Sequence, residues 1–176
     1  SGCRLTAIDL PDSLRGVGEN AFSANPDLTS ISASAKIISA IDKSTVTTIV
    51  VKSGTSLPDN AFSGAVNLTD LTLPKGIISI GKDVFADCRK LAEIPDLSDV
   101  RVFGSGLFRN CVSLTKVVIP AGEWPTGSIE LKSGVELHLE KGATLKGSTK
   151  QADYNADDVF PENFHSVGEE WSGGHL

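Results

Sequence analysis

The side chains able to do chemistry in this chain are few and cluster towards its C-terminal end. Asp153, Asp157, Asp158 and Glu162 lie close together, and all three histidines, His138, His165 and His175, share that region. Glycoside hydrolysis would need two carboxylates held about 5–9 Å apart. Four acids in turn-rich text read instead as a solvated loop, with a carbohydrate or cation contact as the lesser alternative. Glu136, His138 and Glu140 alternate with Leu137 and Leu139, so they share one wet strand face opposite the leucines. His165 and His175 have no cysteine at zinc-site spacing, and no metal site is expected. The chain has no phosphate loop, no G-x-S-x-G elbow and no H-E-x-x-H. The expectation is a non-catalytic protein without a cofactor.

The cysteines point to something else. Cys88 and Cys111 stand 23 residues apart, and so do Phe62, Phe85 and Phe108. Each phenylalanine opens a similar block: AFSGAVNLTDLTLP, VFADCRKLAEIPDL and LFRNCVSLTKVVIP. An earlier copy, AFSANPDLTSISAS, starts at Ala21. A leucine follows each phenylalanine after six residues (Leu28, Leu68, Leu91, Leu114), and Ile31, Leu71, Ile94 or Val117 follows three further on. Val46, Ile49 and Val51 form a weaker copy, and Leu5, Ile8 and Leu10 the start of another.

The phase has a physical meaning. L-x-x-I-x-L sets its last two apolar residues on one side of a strand. Pro11, Pro74 and Pro120 then stop that strand. A second apolar alternation follows, as in Ile78 and Ile80 before Gly81, or Val100 and Val102 before Gly104. One such coil cannot bury its apolar side alone, but stacked coils can. Stacking would put the Cα atoms of Cys88 and Cys111 about 5 Å apart, compatible with a disulfide. A pair of buried free thiols is the favoured reading, because the position looks like a core slot.

Period and pattern together resemble the leucine-rich repeats, specifically the BspA-like type of bacterial surface proteins. The resemblance covers about residues 4–122, in five to six coils, with ADCRKLAEIP, RNCVSLTKVVIP and LPKGIISIGKDVF as the best matches. It implies a β-rich repeat solenoid, a right-handed superhelix with short strands. Residues 32–60 are degenerate, and the copy at Leu91 breaks into PDLSD, so irregular coils are expected at both places. The outward positions of the strand face form the expected binding face: Thr29, Thr69, Asp70, Thr72, Glu93, Thr115 and Lys116. They are small and mixed, a poor anchor set by hot-spot standards. The resemblance implies adhesion to a host or matrix protein at a bacterial cell surface, or after secretion.

Composition sets the outer bounds. The chain has 176 residues and a net charge of −6, which argues against nucleic acid as partner. At 40% hydrophobic it is not a disordered chain, and it has no apolar run of membrane-spanning length. It lacks methionine, even at position 1, so a processed or excised piece is expected. Residues 1–122 carry twelve acids and twelve bases, whereas residues 123–176 carry ten acids and four lysines. Both tryptophans and the only tyrosine also lie beyond 122, which suggests a module boundary near Gly122.

The acidic segment 123–176 alternates strongly. Ile129 with Leu131, Val135 with Leu137 and Leu139, and Ala143 with Leu145 read as three short strands between glycine turns. This stretch resembles the start of polygalacturonase-like glycoside hydrolases, through Gly127, Ile129, Leu131–Ser133, Val135, Leu137–Leu139, Gly142, Ala143, Leu145, Gly147, Ser148, Asp153 and Tyr154. In that family the catalytic aspartates come from coils further downstream, so no residue here inherits their role. The segment is expected to be a cap on the solenoid or a β-helix stub. Near the N-terminus, Cys3 precedes its leucine by two residues rather than three and reads as part of a broken first repeat; alternatively, Ser-Gly-Cys resembles the end of a bacterial lipoprotein signal, with Cys3 as the acylated residue.

Overall fold

A computed structural model describes residues 4–149, apart from 19, 20, 24, 127, 128, 130 and 148. The expectations for Cys3, Tyr154, His165, His175 and the acids at 153–162 lie outside the described residues.

The strands are short, parallel and stacked by repeat. On one side, β1 (Ala7–Asp9), β2 (Ser30–Ala33), β3 (Thr48–Val51) and, in the next coil, Asp70–Thr72 form one sheet. Its register aligns Ile8 with Ile31, Ile31 with Ile49 and Ile49 with Leu71. A one-turn helix, α1 (Ala35–Ile38), lies between β2 and β3. On another side, β4 (Ser56–Leu57) begins a second parallel sheet; with β5 assigned to Asp70–Thr72, it continues through β6 (Ser79–Ile80) and β7 (Val102–Phe103). The chain then forms β8 (Lys116–Ile119) and β9 (Gly122–Thr126). Next, β10 (Glu136–Leu139) stacks on β8 and β11 (Ala143–Gly147) stacks on β9, again parallel. The molecule is a strand-rich, nearly helix-free solenoid.

The repeated phenylalanines explain the stacking. Ring centroids are 5.6 Å apart for Phe62–Phe85 and for Phe85–Phe108. All three side chains are buried, and burying each is worth about 1.5–3 kcal/mol. Around this file runs a single core from Ile8 to Trp124. Phe22 is only partly buried. In the degenerate segment that follows, α1 supplies Ile37 and Ile38 to the core in place of a phenylalanine.

The turn side needs left-handed backbone at fixed intervals. Asn60, Asp83 and Gly106 form one such column, with φ of 58°, 52° and 67°. Gly64, Asp87 and Asn110 form another, with φ of 75°, 61° and 59°. Asn, Asp and Gly tolerate this region best. The conformation lets alternate amides point along the solenoid. Asn60, Phe62 and Gly64 donate to Lys82, Val84 and Ala86, and Asp83, Phe85 and Asp87 donate to Ser105, Leu107 and Arg109.

Two sequence expectations need correcting. The inward residues of the second sheet are Ile77 with Ile80, and Val100 with Phe103, all buried. Ile78 and Val102 face solvent instead, at 52% and 49% exposure. The buried pairs are three residues apart rather than two, because only the last two residues of each stretch are strand; within β7 itself the alternation holds, Val102 outward and Phe103 inward. In the acidic segment, Ile129 and Leu131 lie outside any strand, and β9 takes the place expected for theirs.

Candidate interaction face

The first sheet presents its outward residues as columns. Thr6, Thr29, Thr47 and Thr69 occupy equivalent places, with Ala92 and Thr115 further along. The Thr6, Thr29, Thr47 and Ala92 carbonyls each receive the amide of their counterpart in the next coil, as Thr6 O receives Thr29 N and Thr29 O receives Thr47 N, both at 2.9 Å. The threonine hydroxyls add to that ladder. Thr29 Oγ1 lies 3.1 Å from Thr6 O, Thr47 Oγ1 3.2 Å from Thr29 O, and Thr115 Oγ1 3.3 Å from Ala92 O. Thr69 Oγ1 has two acceptors, Thr47 O at 3.2 Å and the Asp70 carboxylate at 2.7 Å. With one proton to give, it favours the charged, nearer one.

Thr29, Thr69, Asp70, Thr72, Glu93, Thr115 and Lys116 are all exposed. They do not converge on a point: the stacking spreads them along the solenoid. The Thr29 and Thr115 protons are directed to neighbouring carbonyls and that of Thr69 to Asp70, so these hydroxyls offer the solvent mainly lone pairs. Sequence alone missed this tie, although the recurrence of Thr just ahead of each strand was its visible sign.

Charged pairs cross the coils on the same face. Lys52 Nζ reaches Asp9 at 2.8 Å and also donates to Leu10 O. The hydrogen bond from Lys52 holds the Asp9 carboxyl below its ordinary range, and the same bond raises Lys52. Lys116 Nζ lies 3.0 Å from Glu136, and that bond lowers the Glu136 carboxyl. His138 Nδ1 is 3.4 Å from the same carboxylate oxygen, so Glu136 and His138 share a face; the expected contrast with the leucines fails, since Leu137 and Leu139 are exposed as well. Being exposed, these pairs contribute little stability.

The buried polar groups are structural in kind. Cys88 Sγ donates to Phe62 O at 3.3 Å and Cys111 Sγ to Phe85 O at 3.1 Å. Both are free thiols. Burial pushes Cys111 up to about 11 and Cys88 higher still, so at neutral pH neither offers a thiolate nucleophile. Lys43 is buried, with Nζ 3.1 Å from Ile38 O and 2.6 Å from Ile41 O. Loss of solvent lowers its pKa. Its burial was invisible in the degenerate segment, because no repeat signal marks that position. Among the described residues, no three His, Cys, Asp or Glu side chains gather to hold a metal ion.

Residues 1–49 and 55–127 match the BspA type leucine rich repeat region, in six copies. The chain belongs to the BspA-type leucine-rich repeat family. A leucine-rich repeat protein from Bacteroides ovatus has a similar fold, with a TM-score of 0.60 at 21% identity, over 77% of this chain and 42% of that one. A leucine-rich repeat protein from T. pallidum aligns at 24% identity over 80% of this chain and 54% of that one, with a TM-score of 0.40. The chain thus spans about half or less of the length of these structures. No curated protein matches. The family is one of repeat proteins, generally non-catalytic and often concerned with protein binding. Among the described residues, no helix is long and apolar enough to cross a membrane.

Proposed function

We propose that this repeat protein is a non-catalytic binding module of a bacterial cell-surface or secreted protein, and that it adheres to a host or matrix protein. The observation that carries the reading is the strand-lined face: exposed side chains set in columns by a backbone ladder, in a coil stack built on a buried phenylalanine file. Such a face suits a broad partner, since a flat array offers many weak contacts and no enclosed reaction chamber. Thr29, Thr69, Asp70, Thr72, Glu93, Thr115 and Lys116 form the contact surface. Capture of immobilised extracellular-matrix proteins tests this. Reversing the charges at Asp70, Glu93 and Lys116 together should abolish capture; silence across the panel, or capture indifferent to the reversal, overturns it.

Residues 123–176 act as a cap in this reading. Stacking of β10 on β8 and β11 on β9 supports it, because it covers strand edges that the last repeat would otherwise expose. A fragment ending at Gly122 that stays soluble and equally stable would refute the cap. A second reading, favoured by the same parallel stacking, makes this segment the start of a polygalacturonase-like β-helix in a hybrid or truncated glycoside hydrolase. Release of reducing sugar from polygalacturonate, lost on substitution of acids in 123–176, would replace the first reading with this one.

A further inference from the structure

The first sheet is interrupted. Strand β5 pairs with β3, and β8 pairs with β10, but between β5 and β8 the fifth coil makes only one bridge, Glu93 to Lys116. Pro95 follows two residues later, and a proline cannot donate to a ladder. The coil therefore leaves the sheet where Thr72 and Val118 would otherwise be joined by a strand.

The consequence falls on the edge of β8. Glu136 N donates to Thr115 O and Glu140 N to Ile119 O, both at 2.9 Å. In a parallel ladder alternate residues face opposite neighbours. The Thr115 carbonyl, Val117 and Ile119 thus serve β10, while the Thr115 amide donates back to Ala92 O, and Val118 turns its amide and carbonyl the same way, towards the preceding coil. Among the described residues, no backbone partner meets Val118 on that side. A cleft of about 470 Å³ opens there. Ile94 and Leu97 form its apolar floor, Val118 projects into it at 40% exposure, and Glu93 and Glu140 stand on its rim. Lys116 also lines the cleft, but Glu136 already neutralises it. With Asp96 on the same lining, the cleft is acidic.

We infer that this cleft is a strand-addition site for an extended, basic-apolar peptide segment of a protein partner. The peptide backbone pairs with the open edge at Val118, an apolar side chain seats on Ile94 and Leu97, and a flanking lysine or arginine meets Glu93 or Glu140. Main-chain pairing supplies the affinity, and the alternate side chains supply the choice. The inference rests on the binding-module reading and deepens it, by giving the partner segment a conformation and a charge.

The test uses the whole chain and an acetylated, amidated pentapeptide of lysine, valine, threonine, valine and lysine, followed by ¹⁵N NMR. Binding should shift the amides of Ile94, Lys116 and Val118 and slow exchange at Val118. N-methylation of one alternate set of peptide amides should weaken binding about tenfold, as loss of one or two hydrogen bonds implies. Val118→Pro should do the same while the strand survives, since its N–H takes no part in the β8–β10 ladder. If that variant fails to fold, the methylated peptides decide alone. Shifts centred elsewhere, indifference to both methylated sets, or no binding at millimolar peptide would overturn the site. Matrix-protein capture without peptide binding removes the cleft and leaves the broader reading; peptide binding at Val118 without capture does the reverse.

Discussion

Trp124 lies against Phe103, with ring centroids 5.2 Å apart and planes inclined at 46°. The tryptophan is fully buried, and its indole N–H donates to Pro120 O at 2.7 Å. Arg101 sits 5.5 Å over its ring from the solvent side. The composition break near Gly122 is therefore bridged by the core itself: the first aromatic residue beyond it closes the last repeats.

Replacing that ring by Trp124→Ala should cost about 3–5 kcal/mol, the usual range for a buried aromatic. Urea unfolding monitored by far-UV dichroism measures this. A loss below about 1 kcal/mol would mean that Phe103 is covered by something else.

Gly104→Ala tests the coil spacing. A Cβ at Gly104 would run into the backbone of Gly81 and Lys82 in the neighbouring coil. Backbone cannot rotate away as a flexible side chain can, so the variant should lose about 1–3 kcal/mol. A Tm unchanged from the parent would show that these coils stand further apart.

The threonine ladder separates stability from binding. Thr29→Val keeps the shape and removes one donor, while Thr6 O retains the amides of Thr29 and Ser30. The expected cost is about 0.5–1.5 kcal/mol, because the carbonyl stays satisfied. A much larger loss would make the hydroxyl essential to the stack. A loss of partner capture at full stability would make it a contact.

Thiol burial predicts a pH dependence. Both thiols ionise later in the folded chain than the ordinary value of 9.0, Cys111 at about 11. The unfolded chain therefore releases these protons first as pH rises. Their contribution is complete below pH 9 and falls from there, the Cys111 part between pH 9 and 11 and the Cys88 part to higher pH still. Ala65 fills the equivalent place one coil earlier, so Cys88→Ala with Cys111→Ala should fold and flatten the decline relative to the parent. Equal declines in both proteins would contradict the thiol origin. At neutral pH, a thiol reagent should label neither cysteine until the chain unfolds.

The repeat, its period and its core columns were readable from residue types alone. A 23-residue interval between Phe62, Phe85 and Phe108 leaves stacked coils as the economical way to bury all three, and Cys88 and Cys111 travel in the same phase. Local rules sufficed there because each coil buries the same side chains against the next. They failed where a neighbour sets the outcome. Ile78 and Val102 alternate correctly on paper, yet Ile78 precedes β6 and Val102 alternates with buried Phe103, so both face outward. The burial of Lys43, the hydroxyl ladder from Thr29 to Thr115 and the open edge at Val118 have no signature in one coil read alone. Each arises between coils, from which carbonyl, amide or ring the next turn of chain brings within reach, and that is a property of the stack.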